Sequence, residues 1–241
     1  MTDNKVKLFF NKLDYLKNSS DRIVVRSNVV KQFLGDVKHV NILDIGCGDG
    51  SLSLPLLNLS NIITFVDISD KMLEQVKRQV PEQLLSNTTF INDSFDAIND
   101  INQFDIIICV GVIAHVPVVD ELFKKIATVL KSNGLLILET TPNPYPIGKL
   151  LLPYYYIRGL VLGGTPKYNK NRLKINALLS YTKSMGLQQL SSVRYSFPLP
   201  GMSHWPQSLK LRYTLFTLNN KFMSRLGTEY IMLFRKDETA K

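Results

Sequence analysis

The stretch that decides the fold is "NILDIGCGDG", residues 41–50. Its first half has the length and apolar composition of a buried strand, and Gly46, Gly48 and Gly50 follow in a tight cluster. Glycine lets the backbone turn sharply and approach a ligand closely. Because the N–H groups at the start of a following helix bind anions well, a strand, a glycine turn and a helix in this order predict an anion or nucleotide site.

Beyond this turn, short apolar runs alternate with helical patterns. The apolar runs predict strands at 40–45, 61–67, 88–93, 104–110 and 135–141. The helical patterns predict helices from about 51 to 59, over 70–80 with Asp70 as its cap, and over 119–131 with a stop near Asn133-Gly134. Strands that alternate with helices predict a parallel sheet covered on both faces.

The two ends of the chain have different patterns. Helical spacing predicts helices over 5–18 and 21–35, the second capped by Asp21. After residue 142 the predicted elements are a Pro-, Tyr- and Gly-rich stretch (142–168), a helix near 172–185, strands at 187–195 and 228–236, a Pro-bounded insert (198–206) and a basic amphipathic helix near 207–224. We predict one domain over 1–241, with a helical lid (1–36), a cofactor-binding core (37–142) and substrate-side elements with the last two strands (143–241).

Composition narrows the functional classes. The chain has 241 residues, of which 45% are hydrophobic and 20% charged, so it can bury a real core. A net charge of +9 favours anionic partners such as nucleic acid, an anionic membrane surface or an acidic substrate, and it is equally typical of a merely basic cytosolic protein. Cys47 and Cys109 form no metal-binding pair or disulfide scaffold, which favours the cytoplasm. No apolar run approaches the ~20 residues of a membrane span, and the lysine-interrupted N-terminus is no signal peptide.

Two nucleoside ligands compete for the glycine turn. The dinucleotide fingerprint is G-x-G-x-x-G, whereas these glycines are spaced G-x-G-x-G and Asp44 precedes them. A carboxylate there would repel a pyrophosphate and suits a ligand that carries an ammonium or sulfonium cation. Asp67 can accept hydrogen bonds from a ribose diol, and Asp93, followed by Ser94 and Phe95, from an adenine amino group. Strand-end carboxylates are also common as helix caps, but three at successive strand ends favour a ligand site.

Further segments carry a family resemblance. In order and spacing, "LDIGCGDG", "FVDIS", "INDSF", "FDIIICVGVIAHVP" and "LKSNGLLILETTP" resemble the motifs of class I S-adenosylmethionine-dependent methyltransferases. The resemblance covers about residues 20–142. It implies an α/β, doubly wound, mostly parallel Rossmann-like sheet of seven strands whose last strand is antiparallel. The predicted strand pair within 187–236 suits that ending.

The resemblance also implies S-adenosylmethionine as cofactor and a role for each matching residue. Gly46 and Gly48 would line its methionine part, Val110 would offer backbone to the ammonium, and Asp44 would order the glycine loop. Asp67 would hold the ribose. Ile68 and Met72 would flank the adenine, and Asp93, Ser94 and Phe95 would meet the adenine edge and ring. Arg26 stands where the ubiquinone-pathway O-methyltransferases, which the chain resembles most, have an arginine that grips the cofactor carboxylate. The alternative for Arg26 is a solvated surface cation.

Three histidines are candidates for the chemistry. His115, in "IAHVP", follows the fourth strand, where the family places residues that face the substrate, and an imidazole there can take a hydroxyl proton. The alternative is a structural histidine. We expect His39 to face solvent and His204 to lie at the surface or in packing. The ubiquinone-pathway enzymes show acids in "xExxEHVP" where this chain has Gly111 and Ala114, so we predict no metal.

The acceptor is predicted from the region after residue 142. Its many aromatic residues, among them Tyr145, Tyr154, Tyr168 and Trp205, suit either a hydrophobic or aromatic small-molecule pocket or the packing of a lid. The stretch 145–164 mixes tyrosines, leucines and two cations, and a second interpretation rests it on a membrane interface. "NPY" at 143–145 resembles an element of amino-methylating nucleic-acid enzymes, but it follows the fifth predicted strand instead of the fourth, so a nucleic-acid substrate is disfavoured.

The sequence therefore predicts an S-adenosylmethionine-dependent methyltransferase that acts on a small hydrophobic or aromatic acceptor, at oxygen, with His115 as candidate base. The alternatives are N- or C-methylation and a non-catalytic cofactor-binding protein. The sequence does not determine the oligomeric state.

Overall fold

The computed structural model describes residues 20–99, 101–141, 173–197, 199 and 201–238. Its sheet has seven strands: β1 Asn41–Ile45, β2 Ile62–Val66, β3 Thr88–Ile91, β4 Phe104–Cys109, β5 Leu130–Thr140, β6 Leu187–Tyr195 and β7 Glu229–Lys236. The α-helices of the described part are α1 Ser20–Leu34, α2 Asp70–Gln79, α3 Val119–Val129, α4 Ile175–Ser184, α5 Gln207–Asn219 and α6 Lys221–Arg225. The helix predicted over 5–18 and the stretch 142–168 lie outside the described residues.

The strand order β3-β2-β1-β4-β5-β7-β6 confirms the predicted architecture. Strands β1 to β5 are parallel, and β7 lies antiparallel between β5 and β6. The strand order reverses between β1 and β4. These two strands are neighbours, but β2 and β3 extend the sheet on the β1 side and the later strands extend it on the β4 side. Open α/β sheets bind ligands in the crevice at this point, beyond the carboxyl ends of the strands.

Both faces of the sheet are buried because neighbouring residues of each central strand point to opposite sides. On one face, Leu43 belongs to the apolar cluster that contains Phe123 of α3. On the other face, Ile42 belongs to the cluster that contains Val25 of α1 and Val76 of α2. The helices therefore cover the sheet from both sides and leave the carboxyl edge of the strands as the accessible edge.

The helix predicted from 51 to 59 is wrong. This segment forms turns and one short 3₁₀ helix, Leu54–Leu56. Pro55 has no N–H for a longer ladder, and the Asn61 side-chain amide donates to the Leu56 carbonyl (2.9 Å), which takes an acceptor that a continuing helix would need. Asp70 does not cap α2 either. The cap is Ser69, whose hydroxyl accepts from the Met72 N–H at 3.3 Å.

Three further helix boundaries differ from their predictions. Helix α1 begins at Ser20, so Asp21 lies inside its first turn. Helix α3 ends at Val129 and β5 starts at the next residue, so Asn133-Gly134 lies within an irregular part of β5 and does not stop the helix. The helix predicted over 207–224 is two helices, because the side chain of Asn220 accepts from two N–H groups of α6 and starts a new helix.

Among the residues that the structure describes, no helix is both long enough and apolar enough to cross a membrane.

Candidate functional site

The glycine turn after β1 is held against the end of β2. The N–H groups of Gly46 and Cys47 donate to the Val66 carbonyl at 2.8 and 3.1 Å. Gly46 has a φ of 66°, and a Cβ added there would lie 2.5 Å from Cγ2 of Val112. Both the backbone conformation and the close approach therefore require glycine at this position.

Asp67 fixes the rest of the turn. Its Oδ2 accepts from the Gly48 N–H at 2.9 Å and its Oδ1 from the Ser69 N–H at 2.8 Å. Burial raises the pKa of Asp67, and the hydrogen bonds from Ser69 and Gly48 oppose that rise. A carboxylate can accept about four hydrogen bonds. The two backbone donors therefore leave Asp67 with acceptor capacity toward the cavity that it lines.

Asp44 lies behind the turn and does not line the cavity. It is 2% exposed, and the Ser53 hydroxyl donates to its Oδ2 in a short hydrogen bond. Ser53 in turn donates its backbone N–H to the Gly50 carbonyl at 3.1 Å, so Asp44 holds the far end of the glycine turn through Ser53. Burial raises the pKa of Asp44 to about 7. The hydrogen bond from Ser53 lowers this pKa, and the charges of Asp67 and Asp49 raise it further.

A cavity opens at the carboxyl ends of the parallel strands. Every predicted site residue except Asp44 is on its wall: Arg26, Gly46, Gly48, Asp67, Ile68, Met72, Asp93, Ser94, Phe95, Val110 and His115. The wall also contains residues that sequence reasoning did not single out for the site, among them Ile23, Asp49, Gly111, Val112 and Val116. The structure thus brings the predicted residues together, and the role of each remains a prediction.

The edge of the cavity after β3 is polar. Asp93 is exposed, and its Oδ1 accepts from the Ser94 N–H at 2.7 Å. Ser94 caps the short helix Phe95–Ala97 by accepting from the Asp96 N–H, and Phe95 is buried. Local capping therefore accounts for the position of Ser94, while the Asp93 side chain stays at the cavity rim.

Arg26 enters the cavity wall from α1 and is part of a buried network. Its Nε donates to Glu139 Oε1 and to the Tyr195 hydroxyl, both at 2.9 Å, and its Nη2 donates to Glu139 Oε2 at 2.5 Å. The Tyr195 hydroxyl donates to Glu139 Oε1 in a short hydrogen bond, and burial followed by the Glu139 charge raises the pKa of Tyr195, which keeps it protonated. Arg26 is therefore not a solvated surface cation.

The Arg26–Glu139 pair lies beside the cavity at Gly111. Glu139 occupies the side-on edge of Arg26, formed by Nε and Nη2. A Cβ added at Gly111 would lie 3.6 Å from both Nη1 and Nη2 and 3.7 Å from Glu139 Oε2, so the missing side chain of Gly111 leaves the pair next to the cavity that both Arg26 and Gly111 line. Arginine can bind a carboxylate through two parallel N–H groups.

The sequence reasoning predicted Tyr195 only as one of the aromatic residues after residue 142, and it missed Glu139. Glu139 left a weak signal, since it is the single acid in the apolar run "LLILETT". The contact between Tyr195 and Arg26 left none, because the two residues are 169 positions apart in the chain.

His115 lies between β4 and α3 and lines the cavity. Its backbone N–H donates to the Val112 carbonyl at 2.8 Å, which closes a turn, and the residue is half-buried. His39 and His204 are exposed, as expected. Among the residues that the structure describes, no three His, Cys, Asp or Glu side chains form a group that could hold a metal.

Known methyltransferases are similar to this chain in sequence. Residues 42–134 match the model of the methyltransferase domain family. The ubiquinone biosynthesis O-methyltransferase of Coxiella burnetii (strain RSA 331 / Henzerling II) is 28% identical over 167 residues, which cover 69% of this chain and 70% of that protein. The protein of the same name from Shewanella halifaxensis is 24% identical over 201 residues, which cover 81% of this chain and 84% of that protein.

A solved structure extends the similarity to the whole fold. Magnesium protoporphyrin IX methyltransferase from Synechocystis PCC 6803, crystallised with S-adenosylhomocysteine, superposes with a TM-score of 0.65 at 17% identity and covers 98% of this chain and 99% of that one. The strand order, the glycine turn and the matched family domain confirm the resemblance of this chain to the class I S-adenosylmethionine-dependent methyltransferases.

Proposed function

We propose that the protein transfers a methyl group from S-adenosylmethionine to a hydroxyl oxygen of a small hydrophobic or aromatic molecule. The observation that supports this most is the placement of Asp67 and His115 on the wall of one cavity. The relatives named ubiquinone biosynthesis O-methyltransferase support oxygen as the target. When bound, the cofactor supplies a methyl group that its sulfonium already activates, so the protein contributes orientation and a base.

The chain's own residues suit the parts of this cofactor. Asp67 retains acceptor capacity for the ribose hydroxyls, and the missing side chain at Gly46 leaves room for the backbone to approach. The apolar side chains of Met72 and Phe95 suit the adenine ring. The guanidinium of Arg26, which lines the cavity beside Gly111, suits the carboxylate of the amino-acid part.

His115 is the proposed base. It would hold the acceptor hydroxyl and take its proton on an imidazole nitrogen as the oxygen becomes the nucleophile. Gly111 and Ala114, without side-chain ligands, favour this metal-free route. An amine or an activated carbon acceptor would need less help from a base, so dependence on His115 separates O-methylation from the N- and C-methylation alternatives.

The test is methyl transfer from radiolabelled S-adenosylmethionine to a panel of phenols, catechols and amines, with wild type and His115→Gln compared. We expect turnover of a hydroxyl acceptor, and a fall of about 10²–10⁴-fold in kcat for His115→Gln at unchanged affinity for S-adenosylhomocysteine. A fall of less than about threefold would make the histidine structural. Binding of S-adenosylhomocysteine without transfer to any acceptor would favour the non-catalytic alternative.

Two predictions about the whole chain are also proposals. Buried, unpaired Cys47 and Cys109 support a reducing compartment, hence the cytoplasm. The continuity of β6 and β7 with the sheet supports a single domain over 1–241.

A further inference from the structure

Three side chains form a row across the last three strands of the sheet. Thr140 of β5 pairs with Tyr230 of β7, and Tyr230 pairs with Arg194 of β6, so the three share one face. The guanidinium of Arg194 stacks on the Tyr230 ring, with its Cζ 4.2 Å from the ring centre. The Tyr230 hydroxyl donates to Ser192 Oγ at 3.0 Å, which fixes the ring. Thr140, Tyr230 and Arg194 are called the polar row below.

The polar row contains two buried polar atoms with unused hydrogen-bonding capacity. Within the ranges that the structure describes, neither Thr140 Oγ1 nor Arg194 Nη1 has a hydrogen-bond partner, although both atoms are buried. Thr140 as a whole is 3% exposed. Buried polar groups are nearly always satisfied, and a buried cation without a partner is destabilising. The two atoms therefore indicate a place for a polar group that the described residues do not supply.

The acids nearest to Arg194 in the chain do not pair with it. Residues 140–228 contain no aspartate or glutamate, and Arg194 forms no ion pair with a described residue. Glu229 comes next, but it precedes Tyr230 in β7 and so points to the other face of the sheet. There it accepts from the Thr141 hydroxyl at 2.7 Å. A group that completes the polar row is therefore expected to be an anion from outside the chain.

The polar row begins next to the cavity. Thr140 follows Glu139 in β5, and Glu139 Oε2 lies 3.7 Å from a Cβ built at Gly111 on the cavity wall. Neighbouring strands are about 4.8 Å apart, so Arg194, two strands beyond Thr140, lies about 10 Å further across the sheet. The row thus leads from the cavity wall toward the outer strand β6.

The polar row is on the face of the proposed base. The turn around His115 contributes buried side chains to the apolar cluster against which Tyr230 packs. Glu139, which holds Arg26, points to the opposite face, because consecutive residues of a strand alternate. Arg26 is therefore placed for the cofactor, whereas Arg194 is placed for a group on the acceptor.

We infer that Arg194 and Thr140 bind a carboxylate of the methyl acceptor and so determine its class. The inference rests on the proposed function in that the acceptor hydroxyl lies at His115. Arg194 would donate through Nη1 while the Tyr230 ring holds the guanidinium plane, and the Thr140 hydroxyl would donate to the same anion. The acceptor is then an elongated hydroxy acid, with its hydroxyl at the cavity and its carboxylate on the polar row.

The test uses catechols that carry a carboxylate at the end of an alkyl chain of increasing length, each with its uncharged methyl ester. For wild type we expect one range of chain lengths at which the acid has a higher kcat/KM than its ester. Arg194→Gln should lower the acid-to-ester ratio of kcat/KM by about 10- to 150-fold at that length, the range for a lost hydrogen bond to a charged group. Thr140→Val, which removes the unpaired hydroxyl and keeps the shape, should lower the ratio about tenfold.

A matched control and a measurement without turnover complete the test. Arg235→Gln removes an exposed cation from the other end of β7 and should keep the wild-type ratio. Calorimetric titration of each acid and ester, with S-adenosylhomocysteine present, should show the same preference in affinity. Because Arg194→Gln removes a cation with a buried unpaired N–H group, the free variant should melt no lower than wild type.

The outcomes separate this inference from the proposed function. It is overturned if no acid binds wild type more tightly than its ester, if Arg194→Gln and Arg235→Gln change the ratio equally, or if Arg194→Gln lowers the melting temperature and weakens acid and ester alike, which would make Arg194 structural. Methyl transfer to the esters in any of these cases would leave the proposed function standing. A preference of binding for the acid that Arg194→Gln abolishes, without methyl transfer to any probe, would support the carboxylate site and count against the proposed function.

Discussion

Removing the Arg26–Glu139 pair should weaken binding of S-adenosylhomocysteine and leave binding of 5′-methylthioadenosine unchanged. The two ligands share adenine, ribose and thioether sulfur, but only the first carries an amino-acid carboxylate. Arg26 lines the cavity beside Gly111, and we expect it to meet that carboxylate and no part of the shorter ligand. The selective loss therefore reports on one contact.

The structure determines both the variant and the size of the effect. Arg26 and Glu139 side chains are 13% and 2% exposed, so replacing the arginine alone would leave a buried charge and cost about 3–5 kcal/mol of stability. Arg26→Gln/Glu139→Gln keeps a neutral, hydrogen-bonding pair. A hydrogen bond to a charged group contributes about 1.5–3 kcal/mol, which corresponds to a loss of about 10- to 150-fold in affinity.

The assay is calorimetric titration of both ligands into wild type and the double variant, with 5′-methylthioadenosine as the control for the general structure of the site. An equal loss for both ligands would mean that the pair acts on the general structure of the site. An unchanged affinity of the double variant for S-adenosylhomocysteine would refute the carboxylate contact. If wild type binds neither ligand, the proposed function itself fails.

Two more predictions concern the aspartates around the glycine turn. Asp67→Asn should weaken both ligands alike, by about 1.5–3 kcal/mol in a titration, because both carry the ribose; unchanged binding would remove Asp67 from the site. Asp44 has a pKa raised to about 7 in the folded protein, against about 3.9 when unfolded, so its contribution to stability is complete below pH 4 and is lost as the pH rises through 7. Asp44→Asn cannot ionise and should gain stability relative to wild type between pH 5 and pH 8, by up to about 4 kcal/mol in urea unfolding; a difference that does not change with pH would contradict this sign.

Local patterns predicted the central strands well because strands such as β1 and β4 are buried on both faces, and each of them is a short apolar run in the sequence. The run "FDIIIC" is an example, and it became β4 at the centre of the sheet. Predictions failed where side-chain hydrogen bonds compete with the backbone ladder. Asn61 and Pro55 prevent the helix predicted at 51–59, and Asn220 divides the one predicted at 207–224.

The sequence by itself determined the sheet, the glycine turn and the residues that follow the strands, because these depend on neighbours a few positions apart and on the rule that parallel strands end at one edge. Only the tertiary structure decided that Arg26 is paired with Glu139 and Tyr195, which lie 113 and 169 residues away. It also decided that Leu215 and Leu218 of α5 pack against the core while Phe216 is exposed. Spacing along a helix shows which residues share a face, but which face is buried depends on the elements packed against it, and these come from distant parts of the chain.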